Sequence, residues 1–305
     1  MENKETIYSN TDELNLRALF SVLWSGMPII LLVSTIFGIF SVYYALSIPN
    51  QYKAEVVLAP IQKKSNGASS IIGNMSGLAS LAGVSGSASG SDESKITQEI
   101  MKSRDFIERF IYKNKLEVML LAVSEWNKDD NNLLINDDIY DEKANRWKSE
   151  NALSGWKLYK AFIGRLTISE SKLTGFVTVS FEHFSPDSSK NILDAYISEI
   201  NNYMQMREIN KVTRNIEYLK NQITKTDVAQ MQSIFYSLIE TEISNKMLAD
   251  ASPEFAYNII NPAMKPELKS KPSRAVICLL ITMLGAMLSI ILIFIRHFLK
   301  QNQDS

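Results

Sequence analysis

Two long runs without a single charged residue bracket this sequence. Residues 22–46 read VLWSGMPIILLVSTIFGIFSVYYAL, and residues 275–295 read AVICLLITMLGAMLSIILIFI. A helix rises about 1.5 Å per residue, so either run is long enough to cross a hydrocarbon layer about 30 Å thick. Core helices of soluble proteins seldom lack charge over such a length. Trp24 stands near one end of the first run, with Tyr43 and Tyr44 near the other. Those are the two depths at which amphipathic rings favour the headgroups. Lys269, Lys271 and Arg274 precede the second run and Arg296 and Lys300 follow it, charges that hold its depth. Pro28 falls in the first turns, where a missing N–H costs least. The first run is too long for a signal peptide, and Pro49 and Gln51 stand where a cleavage site of small residues would be.

The spacing therefore predicts a short N-terminal segment (1–21), a transmembrane helix (22–46), a water-exposed domain (47–274), a second transmembrane helix (275–295) and a tail (296–305). Two crossings put both termini on one side. The basic residues do not choose that side. Lys4, Arg17, Arg296 and Lys300 flank the runs on the terminal side, and Lys53, Lys265, Lys269, Lys271 and Arg274 flank them on the loop side. A loop this long is translocated regardless of its charge. Small residues recur at helical spacing in both runs: Ser34 with Gly38, Thr282 with Ala286, Gly285 with Ser289. In lipid they let backbones approach closely, although such residues are also ordinary membrane composition.

The raw material for catalysis is thin. Lys and Arg number 32 against 33 Asp and Glu, a formal charge of -1, which offers no basic excess for a nucleic-acid partner. Cys278 is the only cysteine and lies inside the second apolar run, so neither an internal disulfide nor a thiolate metal site is expected. His183 and His297 are the only histidines. His183 ends a predicted strand and reads as structural or surface; His297 follows the second run and reads as a headgroup-level residue. The pairs Asp129–Asp130 and Asp137–Asp138 sit among asparagines and read as solvated turns rather than as general acid/base or cation sites. The expectation is a chain that is not an enzyme, with no cofactor and no metal.

Within the domain, Tyr52–Ile61 (YKAEVVLAPI) reads as a strand. The Ser- and Gly-rich stretch 65–94 carries scattered Ile71, Ile72, Met75, Leu78, Leu81 and Val84, which suits a loop that packs on a neighbour as well as plain disorder. A helix capped by Ser94 follows, with Ile96, Ile100, Phe106, Ile107 and Phe110 on one face. Residues 124–155 read as surface loops and turns. Arg165–Glu170 and Gly175–Glu182 alternate as a hairpin around Ser171–Thr174. Ser185, Pro186 and Asp187 form a helix start, and neither Pro nor Gly occurs from Asp187 to Ser252. The pattern predicts a long helix over about 186–250, with a bend or stutter at Thr224–Asp227. Its heptad-like run Ile209, Val212, Ile216, Leu219 and Ile223 predicts an oligomer seam, because few other long helices are available to cover it. Phe255–Ile260 reads as a short strand. Pro262, Pro266 and Pro272 then make an extended lead into the second apolar run.

Four stretches carry a family likeness: DELNLRALFSVLWSGMPII (12–30), NQYKAEVVLAP (50–60), SPEFAYNIINPA (252–263), and the run Pro262, Pro266, Pro272, Ser273, Arg274 leading to a second apolar run that bears Gly285. In these the chain resembles the polysaccharide co-polymerase, or Wzz-like chain-length determinant, family. The resemblance implies an α+β membrane protein of the bacterial inner membrane, with cytoplasmic termini and a periplasmic domain. It implies an α/β base with a long helix rising from it and several protomers in a homo-oligomer. It implies control of O-antigen-type polysaccharide length beside a Wzy-type polymerase, with lipid-linked or nascent polysaccharide and membrane lipids as further partners. Some members carry a kinase after the second span; these 305 residues contain no Gly-Lys dipeptide and so no P-loop. Pro262, Pro266, Pro272 and Arg274, with Gly38 and Gly285 in the spans, are the expected motif residues. Two alternatives stand beside this reading: a co-polymerase for capsule or exopolysaccharide export, and a two-span ligand-binding sensor. The latter is disfavoured because the segments outside the runs offer no signalling output.

Overall fold

The computed structural model describes residues 24, 26–61, 90–149 and 153–301. The acidic lead-in before Trp24, most of the Ser/Gly stretch, the last four residues and the side chain of His297 lie outside the described residues. The chain divides into two compact units, one of residues 1–49 with 271–305 and one of residues 50–270.

The first unit is a pair of helices, α1 (Met27–Ser47) and α8 (Arg274–Gln301). Helix α1 begins at Met27, five residues into the first apolar run, with Pro28 in its opening turn, where its missing N–H breaks no helical bond. Met27–Ser47 and Arg274–Arg296 are both long and apolar enough to cross a membrane, and little of either is buried.

The second unit is built on a four-stranded antiparallel sheet in the order β6-β7-β1-β8. Its strands are β1 (Tyr52–Pro60), β6 (Leu166–Glu170), β7 (Val177–His183) and β8 (Tyr257–Asn261). Every second residue of β1, namely Ala54, Val56 and Leu58, is buried, as period-two alternation requires. β1 pairs in register with β7, Val56 opposite Val179 and Ala54 opposite Phe181. The β6–β7 turn closes with the Gly175 N–H donating to the Ser171 carbonyl at 2.8 Å. Gly175 has φ +70°, a conformation that favours glycine.

Against this sheet packs α6 (Pro186–Ile223). Ser185 caps it by accepting from the Ser188 N–H, and Pro186 supplies a preset φ at its first position. Its buried Ile192, Leu193, Tyr196, Ile197 and Ile200 join α3 (Arg104–Asn114) and α5 (Gly155–Ile163) over one core. There Phe110 lies edge-on to Tyr196 at 5.0 Å and Phe162 tilts over Phe181 at 4.9 Å. The Tyr196 hydroxyl donates to the Met101 carbonyl, so the one polar atom of this aromatic cluster is satisfied.

Several expectations change. The helix expected from Ser94 is two helices, α2 (Gly90–Lys102) and α3. Ser94 lies inside α2, and the cap is Ser103, whose hydroxyl accepts from the Phe106 N–H. Residues 123–147 include two small ribbons besides turns: β2 (Val123–Asn127) with β3 (Asn132–Ile135), and β4 (Tyr140–Asp141) with β5 (Arg146–Trp147). Asn131 and Asn145 turn them at φ 52° and 49°, a region Asn tolerates well. Between α3 and β2 runs the short α4 (Glu117–Leu121).

The largest change is in the long helix. α6 stops at Ile223, and a second helix, α7 (Ala229–Asp250), folds back along it. The side chain of Gln205 donates to the carbonyls of Ala249 and Ser252 at 2.8 and 3.1 Å, and that of Asn215 donates to Glu242 at 2.9 Å. The two helices are therefore an antiparallel hairpin, and Thr224–Val228 is its tip rather than a stutter.

Candidate functional site

The expected motif residues fall in three places. In the helix pair, Gly285 is buried, and a β-carbon there would meet the side chain of Phe37 on α1. A β-carbon on Gly38 would lie 3.8 Å from the Thr282 hydroxyl, an ordinary contact, so Gly38 is near the partner helix without being pressed against it. Gly26 is a third close point: a β-carbon would fall 2.5 Å from Ile293. Gly26 opposite Ile293 and Phe37 opposite Gly285 mean that α1 and α8 run antiparallel. The hydroxyls along the pair are spent on their own helices, Ser41 donating to Gly38, Thr282 to Cys278 and Ser289 to Ala286, each at 2.7 Å. The pair is thus held by close packing rather than by polar bonds between helices.

In the second unit, Pro262 and Pro266 follow β8 along an open groove that Lys53, Glu55, Lys265 and Ser270 also line. Lys265 pairs with Asp187, at the start of α6, at 2.8 Å, and Lys53 with Glu55 at 2.5 Å. Ser270 donates from its N–H to the Gln51 carbonyl at 2.8 Å, tying the last residue of the unit beside its second. Pro272 and Arg274 belong to the other unit; the Arg274 N–H donates to the Pro272 carbonyl at 3.0 Å as α8 begins. Pro262 and Pro266 thus belong to one unit, and Pro272 and Arg274 to the other.

The expected oligomer seam lies in the hairpin. Val212 is 1% exposed, and Ile209, Ile216, Leu219 and Ile223 are half-buried along the stretch that α7 covers. The seam's cover is the chain's own α7, a helix separate from α6. The apolar residues of α6 and α7 that remain exposed include Tyr218, Tyr236, Ile243 and Met247.

Two polar features were not legible as chemistry. His183 Nδ1 accepts from the Ser185 N–H at 3.2 Å, which leaves its proton on Nε2, 3.2 Å from the Met119 carbonyl. Burial, with the Arg165 charge adding to it, pushes His183 down to about 4. Arg165 donates to the Leu120 carbonyl at 3.2 Å, and its guanidinium lies 5.3 Å from the Phe184 ring centroid. His183 thus braces the β7–α6 corner as a neutral imidazole. Asn201 on α6 clamps the start of β8: its carbonyl oxygen accepts from the N–H groups of Ala256 and Tyr257, both at 2.9 Å, and its amide donates to the Tyr257 carbonyl at 3.1 Å. The acidic pairs stay in turns, where Asn127 and Asn136 cap the N–H groups of Asp129 and Asp138. Among the described residues no group of His, Cys, Asp or Glu is placed to hold a metal.

Residues 12–114, which include α1, β1, α2 and α3, match the family described as "Chain length determinant protein", Wzz. Residues 219–298 match a second, described as "G-rich domain on putative tyrosine kinase".

The chain carries a Wzz chain-length determinant domain.

This Wzz-like protein is similar in layout to a solved full-length bacterial polysaccharide co-polymerase, at 15% identity over 93% of this chain and 97% of that one, with a TM-score of 0.37. A fragment of WzzB, a polysaccharide co-polymerase from Salmonella Typhimurium, aligns at 15% identity over 73% of this chain and 100% of that one, TM-score 0.26. Among curated proteins none matches. Wzz-like co-polymerases are regulatory, non-catalytic scaffolds, generally oligomeric, and work with the polysaccharide synthesis machinery.

Proposed function

We propose that this protein sets the chain length of a surface polysaccharide of the O-antigen type, as an oligomeric scaffold acting with a Wzy-type polymerase on lipid-linked or nascent polymer. The observation that carries this reading is the match of residues 12–114 to the chain-length determinant family. The two apolar helices, one near each end, support a multi-pass protein of the inner membrane. In this reading residues 1–21 and 296–305 are cytoplasmic and 47–274 periplasmic, and no side chain performs chemistry.

A deletion strain, with surface polysaccharide displayed on a gel, tests it. A clustered ladder in the parent and a broad, unclustered one in the deletion is the expected result; an unchanged ladder would refute the proposal. Orientation is checked with single cysteines at Leu173, 98% exposed at a hairpin turn, and at Gln303, in a Cys278→Ala background. An impermeant thiol reagent should label only the first in spheroplasts. The match of residues 219–298 to a domain named for putative tyrosine kinases supports a second reading, a co-polymerase for capsule or exopolysaccharide export. A deletion that spares the lipopolysaccharide ladder and alters capsule would favour it.

A further inference from the structure

The entry and exit of the second unit are fastened together. The N–H and the hydroxyl of Ser270 both donate to the Gln51 carbonyl, at 2.8 and 3.2 Å. Gln51 is four residues past Ser47, where α1 ends, and Ser270 is four residues before Arg274, where α8 begins. Four residues of extended chain reach about 14 Å at most, so chain length alone keeps this point of the unit within about 14 Å of an end of each apolar helix. A headgroup layer takes up roughly 5–8 Å of that distance.

The strand register fixes which parts of the unit stand at this end of it. Tyr52, next to Gln51, pairs with His183, while Leu58 pairs with Val177, so the β6–β7 turn that carries Leu173 stands beyond the far end of β1. β8 runs back the other way, with Tyr257 opposite Pro60 and Asn261 opposite Val57. Residues 262–270 complete the return to Gln51 along the exposed side chains of Lys53 and Glu55. On this return Ala263 is buried, but Met264 is 68% exposed and Leu268 83%. Lys265, Lys269 and Lys271 are exposed beside them, against one acid, Glu267. Apolar side chains set among cations, on a short tether to a bilayer, match a surface whose outer layer is phosphate and whose next layer is acyl chain.

We propose that this return segment docks on the lipid surface, Met264 and Leu268 entering the boundary between headgroups and acyl chains while Lys269 and Lys271 meet headgroup phosphates. The occupant is the membrane that α1 and α8 cross, which the two four-residue connections hold within reach of the segment. The inference rests on the reading of α1 and α8 as membrane spans. A third attachment beside the two connections restrains how far the domain can tilt over the bilayer.

The test uses the full chain with Cys278→Ala. Met264→Cys, Leu284→Cys and Leu173→Cys are made one at a time, labelled in detergent with bimane and reconstituted in vesicles of phosphatidylethanolamine and phosphatidylglycerol, with plain or brominated acyl chains. Bromine quenches only a label that touches it. The expected result is loss of fluorescence in brominated lipid at Leu284→Cys, within α8, and at Met264→Cys, with no loss at Leu173→Cys. Adding Leu268→Asp should abolish the loss at Met264→Cys, and adding Lys269→Glu should reduce it, while neither changes Leu284→Cys. Leu268 and Lys269 are exposed, so loss of fold does not imitate this pattern. Quenching at Leu284→Cys alone would overturn the proposal and leave the spans intact; no quenching even there would overturn both. A blue-shifted label at Met264→Cys that bromine does not quench would also overturn it, since another protein would then cover the segment. Quenching at Met264→Cys that survives Leu268→Asp would count against Leu268 as the anchor.

Discussion

A β-carbon placed on Gly285 would lie 2.5 Å from Cγ and 2.6 Å from Cβ of Phe37. The obstruction sits at the root of the phenylalanine side chain, where a rotamer change gives no relief, so any larger residue must move one helix away from the other. Gly285→Ala should cost the helix pair about 1–3 kcal/mol, the usual range for overpacking. Gly38→Ala should stay within about 0.5 kcal/mol, because its new methyl meets the Thr282 hydroxyl at ordinary distance. Thermal unfolding of the two variants in one detergent measures the difference. Gly285→Leu should broaden the polysaccharide ladder at equal protein level.

Acid should weaken the domain through His183. Its folded-state value, about 4, lies below the ordinary 6.5, so the unfolded chain takes up the proton first as pH falls. The stability tied to the neutral imidazole is whole above pH 6.5, is lost progressively as pH falls towards 4, and levels off below that. The full span amounts to about 3 kcal/mol. Denaturant midpoints taken across this window for wild type and His183→Gln should converge as pH falls. Parallel curves would show that His183 is not the titrating group.

Asn201 is worth more than its size. Removing its side chain leaves two N–H groups and one carbonyl at the start of β8 without partners, and each buried orphan costs about 1–3 kcal/mol. Asn201→Ala should therefore lower stability by several kcal/mol. Asn201→Asp keeps both acceptor bonds but sets a carboxylate against the Tyr257 carbonyl, so it should fall between alanine and wild type. Chemical denaturation of the full chain ranks the three.

Val212 separates packing within the hairpin from packing between copies. An aspartate there would be an unpaired charge in a covered contact. Val212→Asp should open the distal hairpin, giving faster amide exchange across residues 205–250 while the β1–β7 pairing stays protected. Tyr236→Ala, on an exposed stripe, should leave exchange unchanged. If Val212→Asp abolished assembly with exchange untouched, the seam would be an interface between copies after all.

Much of this was legible in the residues themselves. The alternation in β1 and β7, the Ser185–Pro186 start of α6 and the two uncharged runs are local signals, and the structure places elements on each. The break at Thr224–Val228 was not legible, because no Pro or Gly marks it. What stops α6 is the return of α7, which bonds Gln205 and Asn215 from far along the chain. Helix α5 does leave a trace in the sequence: Leu158 and Phe162, four apart, are both fully buried. The close point at Gly285 was legible only as a small residue. Its difference from Gly38 depends on where Phe37 stands on the facing helix, and no pattern in either run states that.

The first and last strands of the domain, β1 and β8, are neighbours in the sheet although nearly the whole domain separates them in sequence. During synthesis, then, β1 is made early and waits. Until Tyr257–Asn261 emerges, the β1 edge that β8 will cover stands open, an unpaired strand able to recruit another chain. A nascent chain cut short between Asp250 and Tyr257 would carry a nearly complete core with this flank bare. Such fragments should aggregate rather than persist as smaller folded pieces.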